Sequence, residues 1–267
     1  MQNVEIGVST ASLFKKQYNE QAIPTLNSID ARVCEIFLES YYEYNVKFGK
    51  ILKKELNGLK VHSLHTMTTQ FEPQLFLDNE RAYNDAVKSF TDVMKVAKLL
   101  NAKNYTMHGR ARFKRTANYD NYAQNAYYFN KIIDISQSYG VETCLENVEW
   151  AFYNRPGFFA EVKKDCPRLK GVLDIKQARI SGYDYSLYLN EMGEAINTVH
   201  LSDFDENGKG CVPGKKGTFD FETLFKRLKD VGFKGNMLIE VYAEAFNDVQ
   251  ELKDGLDYLR NIKEKIF

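Results

Sequence analysis

VETCLEN at residues 141–147, LKGVLDI at 169–175 and INTVHLSD at 196–203 are three short runs rich in β-forming residues, each carrying polar or ionisable side chains near its end. The segments between them are long enough for a helical crossover, so consecutive runs are expected to pair in parallel through right-handed connections. The same alternation holds outward along the chain. Further β-type runs occupy Val4 to Thr10, Val33 to Glu39, Leu59 to Thr66, Asn104 to Arg110 and Met237 to Tyr242, making eight. Amphipathic stretches separate them, clearest in Glu80 to Leu100 and Tyr119 to Tyr139, where apolar residues recur every three or four positions. A last one, Ala245 to Ile266, carries Val249, Leu252, Leu256, Leu259 and Ile262 at helical spacing and should dock as the closing helix. Eight β/α units predict an α/β protein built as one (β/α)8 TIM barrel, a single domain over residues 1–267. An open doubly wound sheet competes, but the Gly-rich turn it needs after the first strand is missing from GVSTASLF at 7–14.

Length and composition agree with that architecture. The 267 residues match the roughly 250 that such barrels take. A hydrophobic share of 44% is enough for a sizeable core, and 36 basic residues balance 36 acidic ones, so bulk charge favours no polyanionic partner. The N-terminal MQNVEIGVSTASLF has neither a basic leader nor a long apolar run, and no window approaches the roughly 20 apolar residues of a membrane span. A cytoplasmic protein without a membrane partner is the expectation. Cys34, Cys144, Cys166 and Cys211 are scattered and form no Cys-x-x-Cys pair, which suits reduced thiols.

In a (β/α)8 barrel the chemistry collects at the C-terminal ends of the strands. There the sequence places His62 and His65 in VHSLHT, His108 in YTMHGR, Glu146 and Asn147 in CLEN, Asp174 in VLDIKQ, His200 and Asp203 in TVHLSD, and Glu240 in LIEVY. A single strand-end carboxylate is often only a helix cap, and a single buried histidine is usually a satisfied core residue. Several ionisable groups aimed into one crevice repel and desolvate one another unless a cation or substrate compensates them. Glu146, Asp174, His200 and Glu240 are therefore read as ligands of one divalent ion, and their oxygen-rich set suits Mn, Mg, Co or Zn. Asn147 and Asp203 are expected to support those ligands. His65 and His108 are candidates for contacts to substrate hydroxyls, His62 is given no role, and Trp150 either stacks on a sugar ring or packs its loop.

The segments LEN at Glu146, LD at Asp174, VHLSD at His200, PGKKGTFDF at 213–221 and GFKGNMLIEV around Glu240 resemble the xylose isomerase-like barrel superfamily. That superfamily contains sugar isomerases and epimerases and also the apurinic endonucleases, and the resemblance spans essentially the whole chain. It implies a carbohydrate substrate, one divalent ion on Glu146, Asp174, His200 and Glu240, and proton transfer by Glu146 and Glu240 through an enediolate. The endonuclease pattern is incomplete: it continues the Asp strand with a histidine where Gln177 stands, and DENGKGC at 205–211 supplies none of its later histidine. Nucleic acid is accordingly the disfavoured partner. The epimerase pattern also departs at Gln177 and at Glu206, and the superfamily's usual acidic turn here holds Lys215 and Lys216.

Arg110, Arg112, Lys114, Arg115, Lys176, Arg179, Lys215 and Lys216 lie on segments expected to rim the same barrel end. They suggest an anionic substrate, a sugar phosphate or sugar acid, with Arg110, Lys176 or Lys216 fixing its charged group. The alternatives to a sugar isomerase or epimerase are an apurinic endonuclease-like phosphodiesterase, an inosose dehydratase-type lyase and a barrel that binds sugars without turnover. Barrels of this kind often pair, so a homo-oligomer is admitted.

Overall fold

A computed structural model describes residues 4–67, 70–112 and 121–267. Eight parallel strands close into a barrel: β1 (Ile6–Ser9), β2 (Val33–Leu38), β3 (Lys60–Thr66), β4 (Asn104–Met107), β5 (Glu142–Glu146), β6 (Lys170–Asp174), β7 (Ile196–Leu201) and β8 (Asn236–Ile239). Each pairs with its sequence neighbours, and β1 closes on β8 with Ile6 opposite Met237 and Val8 opposite Ile239. All eight expected runs are strands. Several are shorter than the sequence pattern suggests, because residues past the barrel rim lose a pairing neighbour; β4 stops at Met107, and Gly109 at φ 75° turns the chain away.

The helices are α1 (Asn19–Ser28), α2 (Val46–Glu55), α3 (Glu80–Leu100), α4 (Tyr122–Ser138), α5 (Phe158–Asp165), α6 (Ile175–Ile180), α7 (Tyr185–Met192), α8 (Phe221–Asp230) and α9 (Val249–Ile266). The period-3.6 pattern explains why they lie on the barrel: α3 buries Ala86, Phe90, Val93, Met94, Ala97 and Leu100 along one face. Its ends follow local chemistry, with Asn79 accepting a capping bond from the Ala82 N–H and Asn101 closing it in the left-handed region. The closing helix begins at Val249, not Ala245, because the Asp248 side chain caps it by accepting from the Gln250 N–H. The start expected for α4, Tyr119, lies outside the described residues. Among the described residues, no helix is long and apolar enough to cross a membrane.

The barrel interior departs from the usual layers of branched apolar side chains. Ser9 and Ser63 are the register partners of Glu35 on the flanking strands, and all three are buried. A carboxylate thus sits inside the barrel below the site.

Two glycines show how closely the strands are drawn together. A Cβ on Gly7 would lie 1.9 Å from the Val33 carbonyl oxygen, whereas one on Gly210 would meet nothing within 4 Å. Gly7→Ala should therefore cost about 3 kcal/mol or more in urea unfolding, and Gly210→Ala should stay within about 0.5 kcal/mol. Equal, small losses would contradict this packing.

Candidate metal centre and substrate cavity

Glu146 ends β5, Asp174 ends β6, His200 lies one residue before the end of β7, and Glu240 follows β8. Register aligns Asp174 with His200 and His200 with Leu238, and the Glu240 N–H donates to the Leu201 carbonyl at 2.9 Å. The four side chains therefore meet. His200 Nδ1 lies 3.1 Å from Glu146 Oε1, 3.5 Å from Glu240 Oε2 and 3.8 Å from Asp174 Oδ2. One donor atom from each residue falls within 4.8 Å of all the others.

The two oxygens of Asp174 have separate tasks. Oδ1 caps α6 by accepting from the Gln177 N–H at 2.7 Å, while Oδ2 is buried. Asp174 Oδ2 and Glu240 Oε2 have no hydrogen-bond partner among the described residues. Orphaned buried carboxylate oxygens facing one imidazole nitrogen are costly as they stand, and a divalent cation matches their charge and hardness. The donor set fits such an ion.

Electrostatics in the cluster follow from its crowding. Burial opposes the charged form of Glu146, but His200 and His108 outweigh it and hold the carboxyl well below its usual range. Burial, with Glu146 and Glu240 nearby, pushes the Asp174 carboxyl up to about 7 against the pull of Lys176 and His200. Burial likewise works against the His200 imidazolium, yet Glu240, Glu35 and Glu146 raise its pKa well above the ordinary value. Lys176 is raised too, because Asp174 and Glu240 outweigh its burial.

A cavity of about 200 Å³ opens beside the quartet and is lined by His65, His108, Glu146, Trp150, Lys176 and Glu240, with Phe14, Phe37, Gln177 and Tyr242 among its other walls. His108 Nε2 lies 2.9 Å from Glu146 Oε2. Its ring meets His65 edge-on at 4.5 Å and Trp150 at 5.0 Å, so a continuous aromatic wall runs up from Phe37. A cavity of about 690 Å³ opens at the opposite barrel end, where His62 bonds Thr198 at 2.8 Å and Asn236 at 3.0 Å. Burial there lowers the His62 pKa to about 4, and its side chain lines the cavity at the end away from the quartet.

The model for xylose isomerase-like TIM barrels matches residues 24–262. The chain belongs to that family. Among solved structures it is similar to the D-psicose 3-epimerase of Clostridium cellulolyticum H10 with D-tagatose, at 16% identity and TM-score 0.79, covering 97% of this chain and 99% of that one. A D-tagatose 3-epimerase-like protein shares 19% identity at TM-score 0.80, covering 98% of both chains. The IOLI protein with a binding zinc atom shares 15% at TM-score 0.79, covering 99% of both. Identities this low show a shared fold. No curated protein sequence matches the chain.

Within this family barrel the other expected residues separate. Asn147 braces Asp174 twice, donating to its carbonyl and accepting from its N–H, both at 2.8 Å. Asp203 instead organises the following loop, accepting from the N–H groups of Phe204, Gly214 and Phe219. Arg110 lies over the Phe152 ring, Arg112 pairs with Glu149, Arg179 covers Phe204, and Lys215 pairs with Glu251. Lys216 is exposed and, like Arg110, lines no part of the cavity. Lys114 and Arg115 lie outside the described residues. Of the cations expected at the mouth, Lys176 is the one that lines the cavity among the described residues.

Two buried acids that brace the site's histidines escaped the strand-end reading. Glu72, on the segment after β3, accepts from the Tyr105 hydroxyl at 2.6 Å and from the N–H groups of His108 and Gly109, fixing the turn that aims His108. Burial pushes its carboxyl up to about 7. Glu35 accepts from the hydroxyls of Ser9, Ser63 and Thr106 at 3.1, 2.7 and 2.6 Å. Its Oε1 lies 3.2 Å from His200 Nε2, on the ring edge opposite the quartet. A lone acid inside an apolar β-run, VCEIF at 33–37, is the signal that finds Glu35; nothing local marks Glu72.

Glu35→Ala should cost about 3–5 kcal/mol in urea unfolding, since it strands three hydroxyls and the buried Nε2 of His200. Glu35→Gln should cost less than half of that, because hydroxyls can turn to accept from the new amide. Equal losses would show that volume, not charge and hydrogen bonding, matters at this position.

Proposed function

We propose that this chain is a sugar isomerase or epimerase that moves a proton at a carbon beside a carbonyl, with Glu146 and Glu240 as the proton-handling pair. The convergence of Glu146, Asp174, His200 and Glu240 on one point, with two orphaned carboxylate oxygens, carries the reading. Those four residues would hold one divalent ion of the Mn, Mg, Co or Zn type. When bound, such an ion supplies Lewis acidity that makes a C–H next to a chelated hydroxy-ketone easier to deprotonate.

The protein's own residues do the rest. Glu146 lines the cavity with its Oε2 2.9 Å from His108 Nε2, which places a carboxylate where it can take a proton from a bound sugar. Glu240 stands at the cavity edge, half-buried and with one oxygen unpartnered, where it can return a proton to the other side of the carbon. His65 and His108 offer ring nitrogens to sugar hydroxyls along the aromatic wall, and Trp150 closes that wall with an apolar surface. Asn147 keeps Asp174 in place while Glu35 holds the far side of His200. Similar structures with D-tagatose and with zinc support a sugar substrate and a metal in this barrel.

A second reading has one observation in its favour. His65, His108 and Glu146 also bring ligand atoms within 4.8 Å of one another, so Glu146 could be shared by two ions as in a metal-assisted phosphodiesterase.

The proton-transfer reading is tested by following ketose and aldose panels in D₂O by NMR. Metal-loaded protein should place deuterium at a single carbon next to the carbonyl of its substrate, and Glu146→Gln and Glu240→Gln should each lower the exchange rate by about 10² or more. Full exchange activity in both variants would remove the pair from the mechanism.

A further inference from the structure

Lys176 is more than nine-tenths buried, with its ammonium 3.9 Å from both Asp174 Oδ2 and Glu240 Oε1, beyond hydrogen-bond distance. It rests 4.5 Å above the Tyr242 ring and makes no hydrogen bond among the described residues. An ammonium has three donors, and a side chain this buried that spends none of them on the protein leaves them for whatever fills the cavity. The next residue, Gln177, lines the same cavity. Its carbonyl oxygen is taken by the Glu149 N–H at 3.2 Å, and among the described residues its amide nitrogen has no acceptor. Two unspent donors from adjacent residues therefore face one small space.

We propose that Lys176 and Gln177 bind a carboxylate of the substrate beside the quartet, making the preferred ligand a short sugar acid instead of a neutral sugar. This rests on reading the cavity as the sugar site. A carboxylate has two oxygens for two donors and one negative charge for one ammonium. A phosphate would bring about two charges and three acceptor oxygens and is usually met by arginines or several N–H groups. Among the described residues the lining holds no arginine and no cation besides Lys176, since Arg110, Arg179, Lys215 and Lys216 stand outside it. Its volume of about 200 Å³ is below the roughly 300–1,000 Å³ of ordinary small-molecule pockets, which also favours a short chain. Tyr242 fixes the ammonium from one side, so the charge is held in position before the ligand arrives.

The test compares D-glycerate with glycerol, titrated by NMR into metal-loaded wild type and Lys176→Met at equal metal content measured by mass spectrometry. Wild type should bind glycerate at least tenfold more tightly than the variant does, with glycerol affinity unchanged within twofold, and Lys176→Arg should recover most of the preference. Gln177→Glu keeps the ammonium but sets a carboxylate against the bound one, so it should weaken glycerate selectively even if Lys176→Met folds poorly. Equal glycerate affinity in wild type and Lys176→Met would overturn the carboxylate pair while leaving the sugar site standing. Failure of both probes to bind wild type would overturn the pair and the sugar-site reading together.

Discussion

His200 stands between acids on both edges of its ring, and the rest of the site is arranged around that fact. Nδ1 faces Glu146, Asp174 and Glu240, while Nε2 lies against Glu35, itself fully buried inside the barrel. Four carboxylates cannot be gathered in a low-dielectric interior without compensation. The compensation comes from several directions: hydroxyls of Ser9, Ser63 and Thr106 on Glu35, His108 on Glu146, and Lys176 near Asp174 and Glu240. What these leave unmet is a pair of carboxylate oxygens, Asp174 Oδ2 and Glu240 Oε2, on the side of the ring where Nδ1 meets Glu146. A divalent ion would complete that balance, and the closed barrel brings the four side chains together from four different strand ends.

The scaffold positions the quartet through hydrogen bonds, most of them to backbone around the cavity. Asn147 holds the backbone of Asp174 from the adjacent strand end, and the Asp174 side chain divides its oxygens between capping α6 and facing the site. Glu72 draws the His108 and Gly109 N–H groups toward it, which sets the turn after β4. Asp203 gathers three N–H groups of its own loop, and a Cβ on Gly217 would lie only 1.9 Å from its carboxylate, so that loop closes tightly over it. Such supports hold the quartet's side chains in one geometry.

The barrel was legible because period-two apolar runs alternate with period-3.6 segments throughout, and each strand end announces itself with a polar residue. Glu146, Asp174, His200 and Glu240 could be picked out by position alone, since the fold rule places chemistry at those ends. Glu35 was not, because it lies in mid-strand where the rule expects apolar layers. Glu72 was not, because its loop folds back through contacts that sequence spacing does not encode. Among the described residues the expected cations of the mouth do not gather at the cavity, for a related reason. Charges close in sequence to the strand ends have long side chains, and Arg110, Arg112, Arg179 and Lys215 settle on nearby rings and acids instead of the cavity. Lys176 differs because the Tyr242 ring and the carboxylates of Asp174 and Glu240 stand around it.

The claim on which everything else depends is that one ion sits among the quartet. Crystals grown with Mn²⁺ and measured near the manganese absorption edge test it directly. The account predicts one anomalous peak, within bonding distance of Glu146, Asp174, His200 and Glu240. No peak at those residues would contradict it, and a second peak of equal strength between His65, His108 and Glu146 would favour the two-ion phosphodiesterase in place of the isomerase.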